Sequence, residues 1–147
     1  KLNTSIKATT HEVVEIYNEN HTKPDAILLL YIEYPFRSTM YIDKAINTMQ
    51  LYDVDIVDAV RTDDEMFYVH TGGGLEPWYK NKTLRLEREE LYRRVGGIQL
   101  INREFLMTEK EMFSGKIGHI SMDEKSSFFI RSELHWDFAR VLTTKEG

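Results

Sequence analysis

Arg37, two residues beyond Pro35, and the adjacent pair Arg93-Arg94 are the side chains of this 147-residue chain best suited to chemistry on an anion. A guanidinium offers a rigid fork of donors that grips a carboxylate bidentately, which a point charge cannot do. Arg37 sits beyond the apolar run Ala26 to Tyr31, and open α/β sheets seat their ligands past the carboxyl ends of such strands. Three roles fit it: a contact to substrate, a brace for its own loop, or a packing arginine at the start of the next helix. The Arg93-Arg94 pair reads equally as an anion grip and as a solvated basic pair balancing Glu87, Glu89 and Glu90. Asp53, Asp55, Asp58, Asp63 and Asp64 crowd one stretch. Asp55 stands between Val54 and Ile56, so that stretch reads as a strand end and a solvated turn rather than a cation site. His11, His21, His70, His119 and His135 are dispersed, without the i, i+2 or i, i+4 spacing that builds a metal site. The chain has no cysteine, which excludes a disulfide framework, a thiolate zinc site and a cysteine nucleophile.

The elements that must position these groups follow from the apolar pattern. Thr9 and Glu12 form a capping box, which predicts a helix from there to about Asn20. The run Ala26 to Tyr31 is continuously apolar between turn signals, as in a strand of a parallel sheet buried on both faces. After a loop at Ile32 to Arg37, Ser38 caps a second helix whose Ile42, Ala45, Ile46 and Met49 share one face. Val54 to Arg61 reads as the next strand, and helix, strand, helix, strand in this order is an α/β crossover pattern. Met66 to Thr71, the glycines Gly72 to Gly74, and Leu75 to Tyr79 predict a hairpin. Asn81 to Arg94 is charged and reads as helical around Glu87 to Tyr92. Gly96 to Asn102 predicts a strand, Arg103 to Glu111 a short helix, Lys116 to Met122 a strand, and Ser132 the cap of a terminal helix through Trp136, Phe138 and Val141. Trp78 and Tyr79 read as an exposed oligomer contact or as core.

A chain of this length supports one compact domain, since about 150 residues bury roughly 68–70% of the surface the unfolded form exposes. Nineteen Lys and Arg against 24 Asp and Glu give a formal charge of −5, which argues against a nucleic-acid module. No apolar run approaches the roughly 20 residues that cross a bilayer, so no membrane partner is expected. The start, Lys1-Leu2-Asn3, lacks a signal-peptide layout and reads as an interior point of a longer polypeptide. A cytoplasmic location is expected.

Three stretches, in order, resemble the second half of the acylneuraminate cytidylyltransferases, the CMP-sialic acid synthetase family. Leu28 to Ser38 with the helix carrying Asp43 and Ala45 stands where the family has a strand, a Gln-Pro-Thr-Ser-Pro-Leu-Arg loop and a helix. Phe67 to Pro77 and then Tyr92-Arg93-Arg94-Val95-Gly96-Gly97-Ile98 stand where it has Tyr-Arg-Arg-Asn-Gly-Ala-Ile. Gly115 to Phe138, with Ile130-Arg131-Ser132-Glu133-Leu134-His135-Trp136-Asp137-Phe138, stands where it has Ile-Asp-Ile-Asp-Thr-Pro-Trp-Asp-Phe. The match spans roughly residues 10 to 142.

The resemblance implies an α/β fold: a Rossmann-like nucleotidyltransferase sheet with helices on both faces, here partial, extended by a hairpin that reaches toward a partner in a homodimer. It implies transfer of CMP from CTP to an ulosonic sugar acid with Mg2+. Carried over by position, Arg37, Tyr31, Arg93 and Arg94 become substrate-binding residues. Glu133 becomes a metal ligand, with Asp137, or Asp123 and Glu124, as a slipped alternative. The departures matter as much. Tyr31, Glu33 and Tyr34 replace small polar groups, Val95 replaces a polar Asn, and Arg131 replaces a metal-holding Asp. That last exchange alters the local charge by two units and sets the chain against the family's use of Mg2+. The family's glycine-rich, basic phosphate loop is missing; Gly72 to Gly74 read as a plain turn, so residues 1–147 read as a single cytidylyltransferase-like domain without its N-terminal nucleotide-binding part. Two rivals share the pattern: a degenerate homologue that binds or assembles without chemistry, and a glycosyltransferase-like α/β domain.

Overall fold

The computed structural model describes residues 2–20, 23–78, 90–108 and 114–144. Its elements are α1 (Leu2–Asn20), β1 (Ala26–Leu29), α2 (Thr39–Tyr52), β2 (Ile56–Asp63), β3 (Tyr68–His70), β4 (Leu75–Pro77), β5 (Leu91–Asn102), α3 (Arg103–Thr108), β6 (Ile117–Ser121) and α4 (Glu133–Thr144). Four strands form the main sheet in the order β1-β5-β2-β6, and β3 and β4 form a separate hairpin. Strands β2 and β6 run parallel, while β5 is antiparallel to both β1 and β2. This is an α/β sheet with helices on both faces. On one face Tyr41 and Ala45 of α2 pack with Val57, Ala59, Ile98, Leu100 and Ile120. On the other, Val14 of α1 and Leu106 of α3 pack with Ile56 and Ile101.

The run at 26–29 is apolar for the expected reason and sits in an unexpected direction. Ala26 and Leu28 face the α2 core and Ile27 and Leu29 the α1 core, so both faces of the strand are packed. Yet β1 is paired along one side only, antiparallel to β5, and its residues are half-buried. Helix α1 begins at Leu2, seven residues before the predicted box, which leaves Thr9 inside the helix. Strand β5 begins at Leu91, so Leu91 and Tyr92 are extended rather than helical, and Arg93 and Arg94 lie within the strand instead of ahead of it. Residues 79–89 and 109–113 lie outside the described part, and with them most of the predicted charged helix, Tyr79, and the last residues of the helix predicted over Arg103 to Glu111.

Helix α2 forms as its sequence demands. The Ser38 side chain accepts from Met40 N, and Ile42, Ala45 and Met49 face the core. Ile46, expected on that face, is 40% exposed. The hairpin closes where the glycines allow it: Thr71 N donates to Gly74 O at 3.1 Å, with Gly72 at φ 89° and Gly74 at φ 144°. Its Trp78 is exposed.

One irregularity shapes the functional end of the sheet. Asp58 pairs with Gln99 and Val60 with Arg94, so two steps along β2 answer five along β5. Gly96 and Gly97 occupy the resulting bulge, and the Tyr34 ring lies against them so closely that a Cβ on either would meet it at 3.3–3.4 Å. Tyr34 Oη accepts from Gly96 N at 2.8 Å. A residue in the loop after β1 is thereby locked to a strand 62 positions later in the chain.

Candidate functional site

The bulge and two loops frame a cavity of ≈ 380 Å³, within the size range of small-ligand sites. It lies past the carboxyl ends of β1 and β2, where the chain leaves β6 for α4. Strand β2 contributes Arg61, β5 contributes Arg93, Arg94 and Val95, and the loop after β1 contributes Tyr34. The segment between β6 and α4 supplies Glu124, Ser127, Phe128, Phe129 and Arg131, and α4 supplies His135. Four arginines and one glutamate, with Tyr34, Phe128 and Phe129, are thus among the residues lining it. A larger cavity of ≈ 540 Å³ lies beside Asp25 and Asp53, lined mainly by Leu28, Ile46, Met49, Val54 and Leu100. It carries no cation, so size and chemistry point to different places, and the smaller cavity is the one equipped for an anion.

The β6–α4 loop is held rigid by Asp123. Its Oδ1 accepts from Ser126 N at 2.7 Å, and its Oδ2 accepts from Tyr41 Oη at 2.6 Å and from Ser126 Oγ at 2.9 Å. These donors, led by the Ser126 amide, hold the Asp123 carboxyl at about 2, well below its ordinary value. Tyr41, bonded to that carboxylate, is pushed up in turn. Farther along, Ile130 N donates to Glu33 O at 2.9 Å, which ties this loop to the one carrying Tyr34. Ser132 caps α4, and its Oγ lies in hydrogen-bond contact with His135 Nδ1.

Arg93 and Arg94 do reach the cavity, each near a carboxylate. Arg93 Nε lies 3.5 Å from Asp63 and Arg94 Nε 3.0 Å from Asp58. Asp58 is buried, and desolvation pushes its carboxyl up while Arg94 pulls it down. The buried Gln99 amide, its register partner, helps Arg94 to hold the Asp58 carboxyl down.

Arg37 and Tyr31 do not line the cavity. Arg37 Nη1 donates to Tyr31 O at 2.8 Å and to Gly97 O at 3.1 Å, which makes it a brace between the β1 loop and the bulge. The Tyr31 ring packs against the α2 core. Two members of the cavity, Arg61 and Arg131, did not emerge from the sequence as anion-binding residues. For Arg61 the available signal was its place at the end of a buried Val and Ile strand. For Arg131 it was the charge reversal itself.

The residues that the resemblance assigns to Mg2+ lie on separate segments, Asp123 and Glu124 in the loop before α4 and Glu133 and Asp137 within it. Glu133 is exposed in the first turn of α4, and Asp137, also exposed, lies 4.0 Å from Arg140. Among the described residues no three carboxylate or imidazole side chains converge. Arg131 stands in the cavity where the resemblance expects a ligand, and with Asp63 and Asp58 already paired to Arg93 and Arg94, the arginine-rich lining does not fit a hard dication that seeks several oxygens.

The architecture defines the class: a mixed α/β domain with helices on both faces of its sheet and a basic cavity at the strand ends. Neither a family model nor a curated protein matches the chain. Among solved structures it is similar to the 4-diphosphocytidyl-2C-methyl-D-erythritol synthase of Anaerococcus prevotii, with a TM-score of 0.61 and 13% identity over 90% of this chain. The chain covers 64% of that protein's length. At such identity the likeness is one of fold. No helix among the described residues is long and apolar enough to cross a membrane.

Proposed function

We propose that this chain is the acceptor-binding portion of a cytidylyltransferase-like nucleotidyltransferase, which transfers CMP from CTP to an anionic sugar. Ulosonic, sialic-acid-like sugar acids are the acceptor class that the motif order favours. The observation that carries the reading is the cavity walled by Arg61, Arg93, Arg94 and Arg131 at the strand ends of this fold. In such a transfer an acceptor oxygen attacks the α-phosphorus of CTP and pyrophosphate leaves. The arginines act by holding the acceptor's anionic group still, so that positioning rather than covalent participation is their share of the chemistry.

The same reading makes the isolated chain catalytically incomplete. A phosphate cradle needs backbone amides at a helix N-terminus, whereas Gly72 and Gly74 sit in a hairpin turn. Incubation with CTP, Mg2+ and a panel of ulosonic acids is expected to release no pyrophosphate, while the acids raise the melting temperature. Pyrophosphate release by the chain alone overturns its incompleteness. Homodimerisation through the β3–β4 hairpin and a cytoplasmic location belong to the same proposal.

A second reading is favoured by Arg131, Val95 and Tyr31, which stand where the family uses polar ligands. It takes the domain as a binding or assembly module without chemistry. Formation of a CMP-sugar by the full-length protein overturns it.

A further inference from the structure

The cavity holds more guanidinium than one carboxylate can engage. Arg93 and Arg94 have Asp63 and Asp58 at hand. The Arg61 and Arg131 side chains make no ion pair or hydrogen bond with a described residue, although both residues line the cavity. Each unpartnered guanidinium carries five N–H donors, and a carboxylate offers two oxygens, which one fork already satisfies. A phosphoryl group offers three terminal oxygens and up to two charges, enough to engage two forks from different sides. The placement of Arg61 sharpens the point. It stands directly opposite Arg93 in the β2–β5 ladder, and like charges so placed destabilise an empty sheet.

We propose that the cavity seats a phosphoryl dianion clamped between Arg61 and Arg131, with Tyr34, Phe128 and Phe129 receiving the group attached to it. This deepens the reading of the cavity as an anion site and rests on it. The dianion comes either from a phosphorylated acceptor or from the nucleotide's own phosphates, which share this chemistry.

The test titrates the full chain at low salt with a sugar phosphate monoester, with CTP, and with N-acetylneuraminate as a lone carboxylate. It is repeated on Arg61→Gln, Arg131→Gln and Arg131→Lys. At least one phosphate ligand is expected to bind tenfold or more tightly than the carboxylate, and the tighter of the two identifies the source. Each Gln variant is expected to weaken phosphate binding about tenfold, Arg131→Lys less, with the unliganded melting temperature unchanged or raised. If the carboxylate binds as tightly as both phosphates, or the Gln variants leave phosphate affinity intact, the dianion clamp is overturned while the anion site stands. If no anion binds, both fall.

Discussion

Exchanging Arg61 for glutamine is expected to stabilise the unliganded protein, the reverse of what most substitutions in a strand do. Arg61 and Arg93 are register partners in an antiparallel pair, and directly opposed residues have Cβ atoms about 4.5–5.5 Å apart. At a charge separation of about 6 Å, Coulomb's law gives a repulsion of about 0.7 kcal/mol at a dielectric of 80 and about 2.8 kcal/mol at 20. The Arg93 side chain is 61% exposed and leans toward Asp63, which places the effect at the lower end. Arg61→Gln is therefore expected to gain about 0.5 kcal/mol at an ionic strength of about 0.01 M, where charges are felt over about 30 Å. At about 1 M salt screening acts within about 3 Å, and the gain is expected to vanish. Urea unfolding at both salt concentrations measures it, and a cycle with Arg93→Gln isolates the pairwise contribution. Destabilisation by more than about 1 kcal/mol at both salts would refute the reasoning, because the stem of Arg61 would then be supporting the sheet rather than being held there against repulsion.

Two further outcomes follow from the loops at the two ends of β6. Gly115 has φ 79°, and an added Cβ would lie 2.5 Å from the Phe105 ring and 2.8 Å from Asp55 Oδ2. Gly115→Ala therefore combines a left-handed backbone cost of about 1–2 kcal/mol with overpacking of about 1–3 kcal/mol; a loss below about 1 kcal/mol in urea unfolding contradicts this account. Asp123 has its carboxyl lowered from 3.8 to about 2, so its contribution is present above pH 3.8 and is lost as pH falls toward 2. The shift of 3.8 − 2 = 1.8 corresponds to about 2.4 kcal/mol, which solvent screening of this exposed group reduces to about 1 kcal/mol. Asp123→Asn is expected to flatten the acid limb of stability between pH 4 and 2, and an unchanged limb in that variant would count against the Asp123 network.

Several features were legible before any coordinate. Helix α2 follows from the Ser38 cap and the spacing of Ile42, Ala45 and Met49, and the hairpin follows from Gly72 to Gly74, because caps, periodicity and turn chemistry act over a few residues. The two-sided packing of β1 was legible for the same reason: a continuous apolar run records that both faces are covered. Its direction was not, since Leu28 meets Leu100 through a pairing that no local pattern encodes. The backward extension of β5 through Arg93 and Arg94 was hidden as well, because the charged residues around them favour a solvated helix until β2 offers a ladder to join.

The site divides along the same line. The sequence by itself determined that arginines flank an α/β sheet, that no thiolate chemistry is available, and that Arg131 stands where the resemblance expects a carboxylate. Only the tertiary structure decided which arginines converge. Arg61 and Arg131 meet Arg93 and Arg94 around one cavity, while Arg37 turns back to the carbonyls of Tyr31 and Gly97. The physical reason is the bulge at Gly96 and Gly97. Tyr34 fills the space that two missing side chains leave, draws the β1 loop against β5, and so sets the cavity wall by a contact whose two sides are far apart in the chain.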